Sequence, residues 1–262
     1  MKNLRYFLYS VLCFVLLTSC EDKIDIDLNE GDARFVIEAQ LSDLDRMQRI
    51  RISQTVPFTA EQNSKPVSDA IVSVRDGNGR VYDFTYTDNG NYVHRNFLPV
   101  ANRTYNLTVR IGASVYESQC TMPSYVDVDS VGVVEESIFG DPYYFATFKF
   151  NDPKDVANYY KYDVSINGKG MEFASALSDK FDDGLYVTHQ IADSENDLTV
   201  GDDIVVRRYC VDKAVYKYWN EFQMTNPGTA APGNPTSNIS NKALGYFSVA
   251  SGKEYTLKVE LP

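Results

Sequence analysis

The 262-residue chain reads as an all-β protein of two β-sandwich parts, with one short helix in the second. Three observations predict this class. Apolar residues recur with period two in short runs, the pattern of strands that bury one face. Clusters of Gly, Asn and Asp interrupt those runs about every eight to twelve residues, the spacing of sandwich hairpins. Composition points the same way, with 19 Tyr and 14 Phe against a single Trp, and with Val and Thr frequent in the alternating runs.

A segment of another kind precedes the first strand. Lys2 and Arg5 flank the start of an apolar run from Tyr6 to Leu17, too short to span a bilayer comfortably as a helix. Leu17-Thr18-Ser19-Cys20 has the pattern of a bacterial lipobox: an aliphatic residue, two small residues that let a peptidase reach the backbone, and a cysteine. Residues 1–19 are therefore expected to be a lipoprotein signal peptide, cleaved between Ser19 and Cys20, with lipid attached to the Cys20 thiol. One fatty chain binds marginally, at about 0.8 kcal/mol per buried methylene, so two or three chains on one cysteine provide the hold. Residues 20–33 form an acidic tether, in which Glu21, Asp22, Asp25, Asp27, Glu30 and Asp32 are opposed by Lys23. Such a segment has little to fold around. An acidic run directly after the lipidated cysteine resembles the surface-export signal of Bacteroidota lipoproteins. It implies an outer-membrane anchor facing the cell exterior, with the periplasmic leaflet as the alternative.

Residues 34–123 read as the first sandwich. Phe35, Ile37, Ala39 and Leu41 alternate with polar or smaller residues, and Ile50 and Ile52 do the same. Ala70, Val72 and Val74 line one face before "DGNG" at 76–79 turns the chain. Tyr82, Phe84 and Tyr86 line the next strand, and "DNGN" at 88–91 turns it again. Tyr105, Leu107 and Val109 follow, then Tyr116, Ser118, Cys120 and Met122. In Pro66-Val67 to Val72, Asp76 to Gly79, Thr87 to Tyr92 and Tyr105 to Val109, the stretch resembles the transthyretin-like or carboxypeptidase-regulatory-like sandwich. That resemblance implies a fold and no catalysis.

"MPSYVDVDSV" at 122–131 marks a boundary, since Pro123 breaks a ladder, and residues 124–262 read as the second sandwich. Ala146, Phe148 and Phe150 alternate up to "NDPKDVAN", a turn with one helical turn in it. Tyr160, Tyr162, Val164 and Ile166 return, and Leu185 to Ile191 and Ile204 to Val211 are further strands. A helix is expected over 213–225, capped by Asp212, with Tyr216, Trp219 and Phe222-Gln223 at helical spacing. The Pro/Gly/Asn-rich stretch 226–241 is a long loop. Tyr255, Leu257, Val259 and Leu261 close the chain as a strand.

The formal net charge is −11, and loss of residues 1–19 removes two bases and no acid, moving it by two to −13. A body of that sign repels nucleic acid, and no basic stripe offsets it. Cys13 leaves with the signal peptide and Cys20 is acylated. Cys120 and Cys210 remain where a disulfide is permitted, although isolated cysteines in strand-like runs equally read as small buried hydrophobes.

Reaction chemistry is sparse. His94 and His189 lie in or beside strands, without Cys, His or Glu at metal-ligand spacing. No GxSxG elbow, HExxH helix or phosphate-binding loop occurs, so no catalytic residue, metal ligand or cofactor is expected. "DKFDDG", with Asp179, Asp182, Asp183 and Gly184, offers oxygen ligands of the kind calcium takes. It lacks the spaced D-x-D-x-D-G loop and a closing bidentate Glu, and reads as a turn between strands. Tyr216, Trp219 and Phe222 read as the face that docks the helix on the sandwich rather than as a sugar-stacking platform. Tyr218 points away from that stripe and is the more exposed.

Across Cys20 to the C-terminus, "FVIEAQLSD", "PVSDAIVSVRDGNG", "NDPKDVANYYKYDV", "DKFDDGLY", "VYKYWNEFQ" and "NPTSNISNKALGYFSVAS" resemble a Bacteroidota lipoprotein family known as domain of unknown function forty-two forty-nine. The resemblance implies an outer-membrane lipoprotein, often encoded near TonB-dependent receptors, and carries over no catalytic or ligand residues. The expected function is an accessory or ligand-capturing subunit beside a TonB-dependent transporter in nutrient uptake, not an enzyme. The alternative is a structural or assembly subunit of an outer-membrane complex, or an adhesin, without a small-molecule ligand. A capturing protein predicts a concave aromatic and polar pocket, and an assembly subunit predicts a large bare apolar patch. An enzyme predicts carboxylates, or the two histidines, converging in a cleft.

Overall fold

Alternation in the sequence becomes alternation in space in the computed structural model, which describes residues 32–57, 64–192, 197–225 and 233–260. The expected signal peptide, Ser19, Cys20, nearly all of the tether and residues 226–232 of the long loop lie outside the described residues.

The first sandwich comprises β1 (Phe35–Ser42), β2 (Gln48–Gln54), β3 (Lys65–Pro66), β4 (Ile71–Asp76), β5 (Val81–Tyr86), β6 (Asn91–His94), β7 (Thr104–Ile111) and β8 (Ser114–Thr121). The hydrogen-bonded path runs β1-β2-β6-β5-β4-β7-β8, with β3 on β2. Strand β5 turns the corner between the two layers, pairing with β6 at Thr85–Val93 and Tyr86–Tyr92. Ile37, Ala39, Leu41, Ile50, Ile52, Val74, Leu107 and Val109 are all buried between the layers, as period-two patterning requires. The "DGNG" turn is organised by Asp76, only 3 % exposed. Its Oδ1 accepts the N–H groups of Asn78 and Arg80 at 2.9 Å each, and its Oδ2 pairs with Arg103 at 3.1 Å.

The second part holds β9 (Ser130–Ile138), β10 (Asp141–Asn151), β11 (Tyr159–Ile166), β12 (Glu172–Ser178), β13 (Tyr186–Ile191), β14 (Asp203–Cys210), α1 (Lys213–Met224) and β15 (Leu244–Lys258). A three-stranded sheet, β13-β10-β9, is joined in one buried cluster with β11, β14 and the end of β15. Two of these strands lack a strong signal in the sequence. Ser130–Ile138 is half-buried or exposed along its whole length, and Glu172–Ser178 is made largely of small and polar residues. "NDPKDVAN" forms a turn with no helical segment.

Asp212 caps α1 as expected, its Oδ1 accepting the Val215 N–H at 2.9 Å. Trp219 stacks on Phe173 (4.4 Å between centroids) and packs edge-on against Tyr246, so the stripe docks the helix. Tyr218 corrects the expectation. It is half-buried with its ring 4.8 Å from Tyr246, whereas Phe222 is 47 % exposed. Tyr246 projects far enough from β15 to hold both neighbouring rings of α1.

The last strand reaches further than its sequence pattern indicates. Leu244–Ala250 pairs in parallel with β1, and Ser251–Lys258 pairs antiparallel with β14. One continuous strand therefore serves both sandwiches, and the core of the first takes in Tyr209, Val211, Val215, Ile239, Phe247 and Val249. A division at 123–124 does not separate two bodies, because the chain from Ala33 onward forms one compact unit. Gly245 makes the junction sterically feasible. Its φ is +86°, and a Cβ there would stand 2.1 Å from the Ile37 carbonyl oxygen.

Candidate functional site

Where the two sandwiches meet, three connecting segments leave a crevice of about 750 Å³, within the size range of small-molecule sites. The β8–β9 linker supplies Tyr125, Val126, Asp127 and Asp129. The β10–β11 loop supplies Val156 and Asn158, the start of β11 supplies Tyr159, and the β14–α1 junction supplies Cys210 and Asp212. Pro123 ends the β8 ladder and frees this linker to cross from one sandwich to the other.

Arg208 fastens the linker from below. Period two places it on the same face of β14 as Ile204, Val206 and Cys210, and it is 0 % exposed. Its Nη1 donates to the Val126 carbonyl at 2.7 Å and its Nε to the Tyr162 hydroxyl at 3.0 Å. The guanidinium lies over the rings of Phe150 and Tyr160, 4.5 Å from each centroid, and over Tyr125 at 5.1 Å. Nη2 has no partner. Burial works against the charge, yet Tyr162, Cys210 and Tyr125 around it hold its pKa above the ordinary value.

The crevice walls are polarised differently at floor and rim. Burial drives the Tyr125 hydroxyl well above the usual phenol range, and that hydroxyl lies 3.0 Å from the Tyr255 hydroxyl. At the rim, the hydrogen bond and ion pair with Lys253 at 2.6 Å hold Asp127 below the usual carboxylate range. Asn151 Nδ2 donates to Asp129 at 2.9 Å. The arrangement offers a tyrosine-walled hollow with an acidic rim, suited to holding a solute.

Cys120 and Cys210 are both free and buried. The disulfide weighed from sequence does not form, because each thiol belongs to a different core. Cys120 Sγ accepts the Val249 N–H at 3.2 Å, and Cys210 Sγ accepts the Val126 N–H at 3.4 Å. Burial raises both thiol pKa values, which opposes thiolate chemistry. Thus Cys210 lines the crevice as a protonated, structural group.

The two histidines are not brought together. His94 Nδ1 donates to the Asp83 carbonyl at 2.8 Å beside the first core. His189, 7 % exposed, packs among Phe150, Tyr160 and Tyr162 in the second. Burial, and then the Arg208 charge, lower its pKa to about 3. The Tyr162 hydroxyl, which accepts from Arg208, also shares a hydrogen bond of 2.8 Å with Nδ1 of the imidazole.

Carboxylates do converge beside the crevice. Asp179 and Asp183 from "DKFDDG" meet Asp152 of the β10–β11 loop, with one ligand atom of each within 4.8 Å of the others. Sequence spacing identified part of this set and missed Asp152, which lies in a different loop. It also missed Arg208, whose signal was a charged residue in phase with Ile204 and Val206.

A family model described as "Domain of unknown function (DUF4249)" matches residues 21–256. No curated protein matches the chain. Among solved structures, a two-domain fibronectin type-III segment of chicken tenascin is similar at a TM-score of 0.25 and 12% identity, over 87% of this chain and 99% of that one. The family match takes in both sandwiches, α1 and nearly all of the shared strand β15, and the chain belongs to the DUF4249 family.

Proposed function

We propose that this protein is anchored by lipid on Cys20 to the outer-membrane surface. There it captures a small organic ligand in the junction crevice, as an accessory subunit beside a TonB-dependent transporter in nutrient uptake. The observation that carries the reading is the crevice itself: concave, about 750 Å³, walled by tyrosines and rimmed by acids. Leu17-Thr18-Ser19-Cys20 supports the anchor, and no helix among the described residues is long and apolar enough to cross a membrane. A binding role is favoured over catalysis because the one thiol in the crevice is held protonated and the two histidines lie apart, His94 beside the first core and His189 among the rings of the second. Exposed large side chains occur on several elements, including Ile71 on β4, Phe139 between β9 and β10, Phe181 and Leu185 between β12 and β13, and Phe222 and Met224 on α1.

The test is to tag the C-terminus, solubilise membranes gently and identify what co-purifies by mass spectrometry. A stoichiometric TonB-dependent receptor is the expected partner. Its substrate is then titrated against the purified full chain, and Tyr125→Ala should weaken binding at least tenfold. Recovery of barrel-assembly or secretion components would instead support the assembly reading. A protein that purifies alone removes the accessory-subunit proposal.

A further inference from the structure

Two loops that each cross between the two sheets of the second part bring three acids to one point. Asp152 is 5 % exposed and Asp179 is 7 % exposed, while Asp183 reaches solvent. In each carboxylate a neutral donor holds one oxygen. The Tyr160 hydroxyl donates to Asp152 Oδ1 at 2.6 Å, the Asn158 N–H to Asp179 Oδ2 at 2.6 Å, and the Asp155 N–H to Asp183 Oδ1 at 2.8 Å. None of the three takes part in an ion pair among the described residues.

An independent observation points to a missing positive group. Asp152 Oδ2 is fully buried and has no hydrogen-bond partner, and the same is true of Asn158 Oδ1 at the other end of the same loop. A buried, unpartnered carboxylate oxygen carries the full cost of desolvation. Burial foremost, with Asp179 and Asp183 adding, raises the Asp152 pKa despite the hydroxyl of Tyr160 and the nearby Gly184 N–H. A cation at the meeting point satisfies the orphan oxygen and removes the like-charge repulsion together.

We propose that Asp152, Asp179 and Asp183 form a site for a hard divalent cation of the calcium class, tying the β10–β11 loop to the β12–β13 loop. The donor set selects the metal. All three side chains offer oxygen, and the cluster contains neither imidazole nor thiolate, which disfavours zinc and copper. Ligands from two loops suit the adaptable six- to eight-fold coordination of Ca²⁺ better than the strict octahedron of Mg²⁺. Asn158 joins this site to the neighbouring crevice, since it lines the crevice and its N–H holds Asp179. The ion therefore stiffens that wall whatever the crevice binds.

The experiment uses the detergent-solubilised full chain, stripped with EDTA and shown folded by circular dichroism. Tb³⁺ is added as a luminescent stand-in for Ca²⁺, excited through tyrosine, because the Tyr160 hydroxyl contacts the site. The expected result is sensitised emission that saturates and is displaced by Ca²⁺, with a rise in Tm on adding millimolar Ca²⁺. Asp183→Asn alters the exposed ligand and should weaken Ca²⁺ displacement at least tenfold while the fold is kept. Asp25→Asn in the acidic tether should leave displacement unchanged. No displaceable emission from the folded wild type overturns the proposal, as does a Ca²⁺ affinity untouched by Asp183→Asn.

Discussion

The two sandwiches follow one rule of alternation but bury different chemistry. In the first, inward residues are mostly apolar or tyrosine, with Gln48, Ser53 and Ser118 as buried neutral polar groups, and Asp76 is the one buried acid or base among its described residues, occupied with a hairpin turn. The second part buries Arg208 and His189 in its core, Lys161 and Asp163 on the opposite face of β11, and Asp152 and Asp179 in its loops. Desolvating an ion costs several kcal/mol unless partners compensate. Such groups are therefore not neutral filler: Arg208 holds the linker beneath the crevice, Asp152 and Asp179 lie in loops beside it, and Lys161 pairs with Asp163 beneath α1. The first sandwich acts as a scaffold, and the second carries the polar groups from which a site is made.

The most damaging way to break this contrast is to attack the strand the two parts share. Gly245→Ala places a Cβ about 2 Å from the Ile37 carbonyl oxygen at a positive φ. Backbone strain of about 1–3 kcal/mol and overpacking of about 1–3 kcal/mol both apply, so a loss of about 4 kcal/mol is expected. Urea unfolding followed by circular dichroism, and by fluorescence of the sole tryptophan, Trp219, on α1, should show both signals moving together. Two separated transitions would mean that β15 does not couple the parts.

A smaller change sharpens the comparison by removing one arginine from each side. Arg208→Ala empties the space between Phe150 and Tyr160 and takes the donors from Tyr162 and Val126, at an expected cost of about 3 kcal/mol. Arg103→Ala, at the Asp76 turn, leaves the backbone donors from Asn78 and Arg80 in place, and about 1 kcal/mol is expected. Equal losses by chemical denaturation would show that the buried arginine of the second core has no special structural weight.

The same contrast explains what was legible beforehand. Tyr105, Leu107 and Val109 could be placed from sequence because one face of β7 is apolar and the other polar, and "DGNG" announces its own turn. On β11 this asymmetry fails, since Lys161 and Asp163 are buried beneath α1 while Tyr160 and Tyr162 are buried in the core. Strand β9 shows little because its residues are only half covered. The first half of β15 was hidden because every residue from Gly245 to Ala250 is buried, so no period-two contrast marks it. Asp212 as a cap was readable at three residues' range. Asp152 as a partner of Asp179 was not, because a tertiary contact between two loops leaves no local spacing.

The mildest test uses pH, and it acts on the second sandwich alone. Burial, followed by the Arg208 charge, lowers the folded-state pKa of His189 to about 3, against about 6.5 in an unfolded chain. The unfolded state therefore binds a proton first as pH falls. The contribution of the neutral imidazole is intact above pH 6.5 and is lost progressively below it, by about 1.4 kcal/mol per pH unit, until the folded form also protonates. Between pH 6.5 and 4.5, above the range where most carboxylates titrate, wild type should lose about 2 kcal/mol more than His189→Gln, measured by urea midpoints at each pH. The Gln amide can still meet the Tyr162 hydroxyl, so a difference in slope reports the proton rather than lost packing. Parallel slopes would mean that solvent reaches the imidazole in the folded protein. The second core would then be wetter than its buried arginine implies, and the opening that wets it would have to lie between Phe150, Tyr160 and Tyr162, the rings that enclose His189.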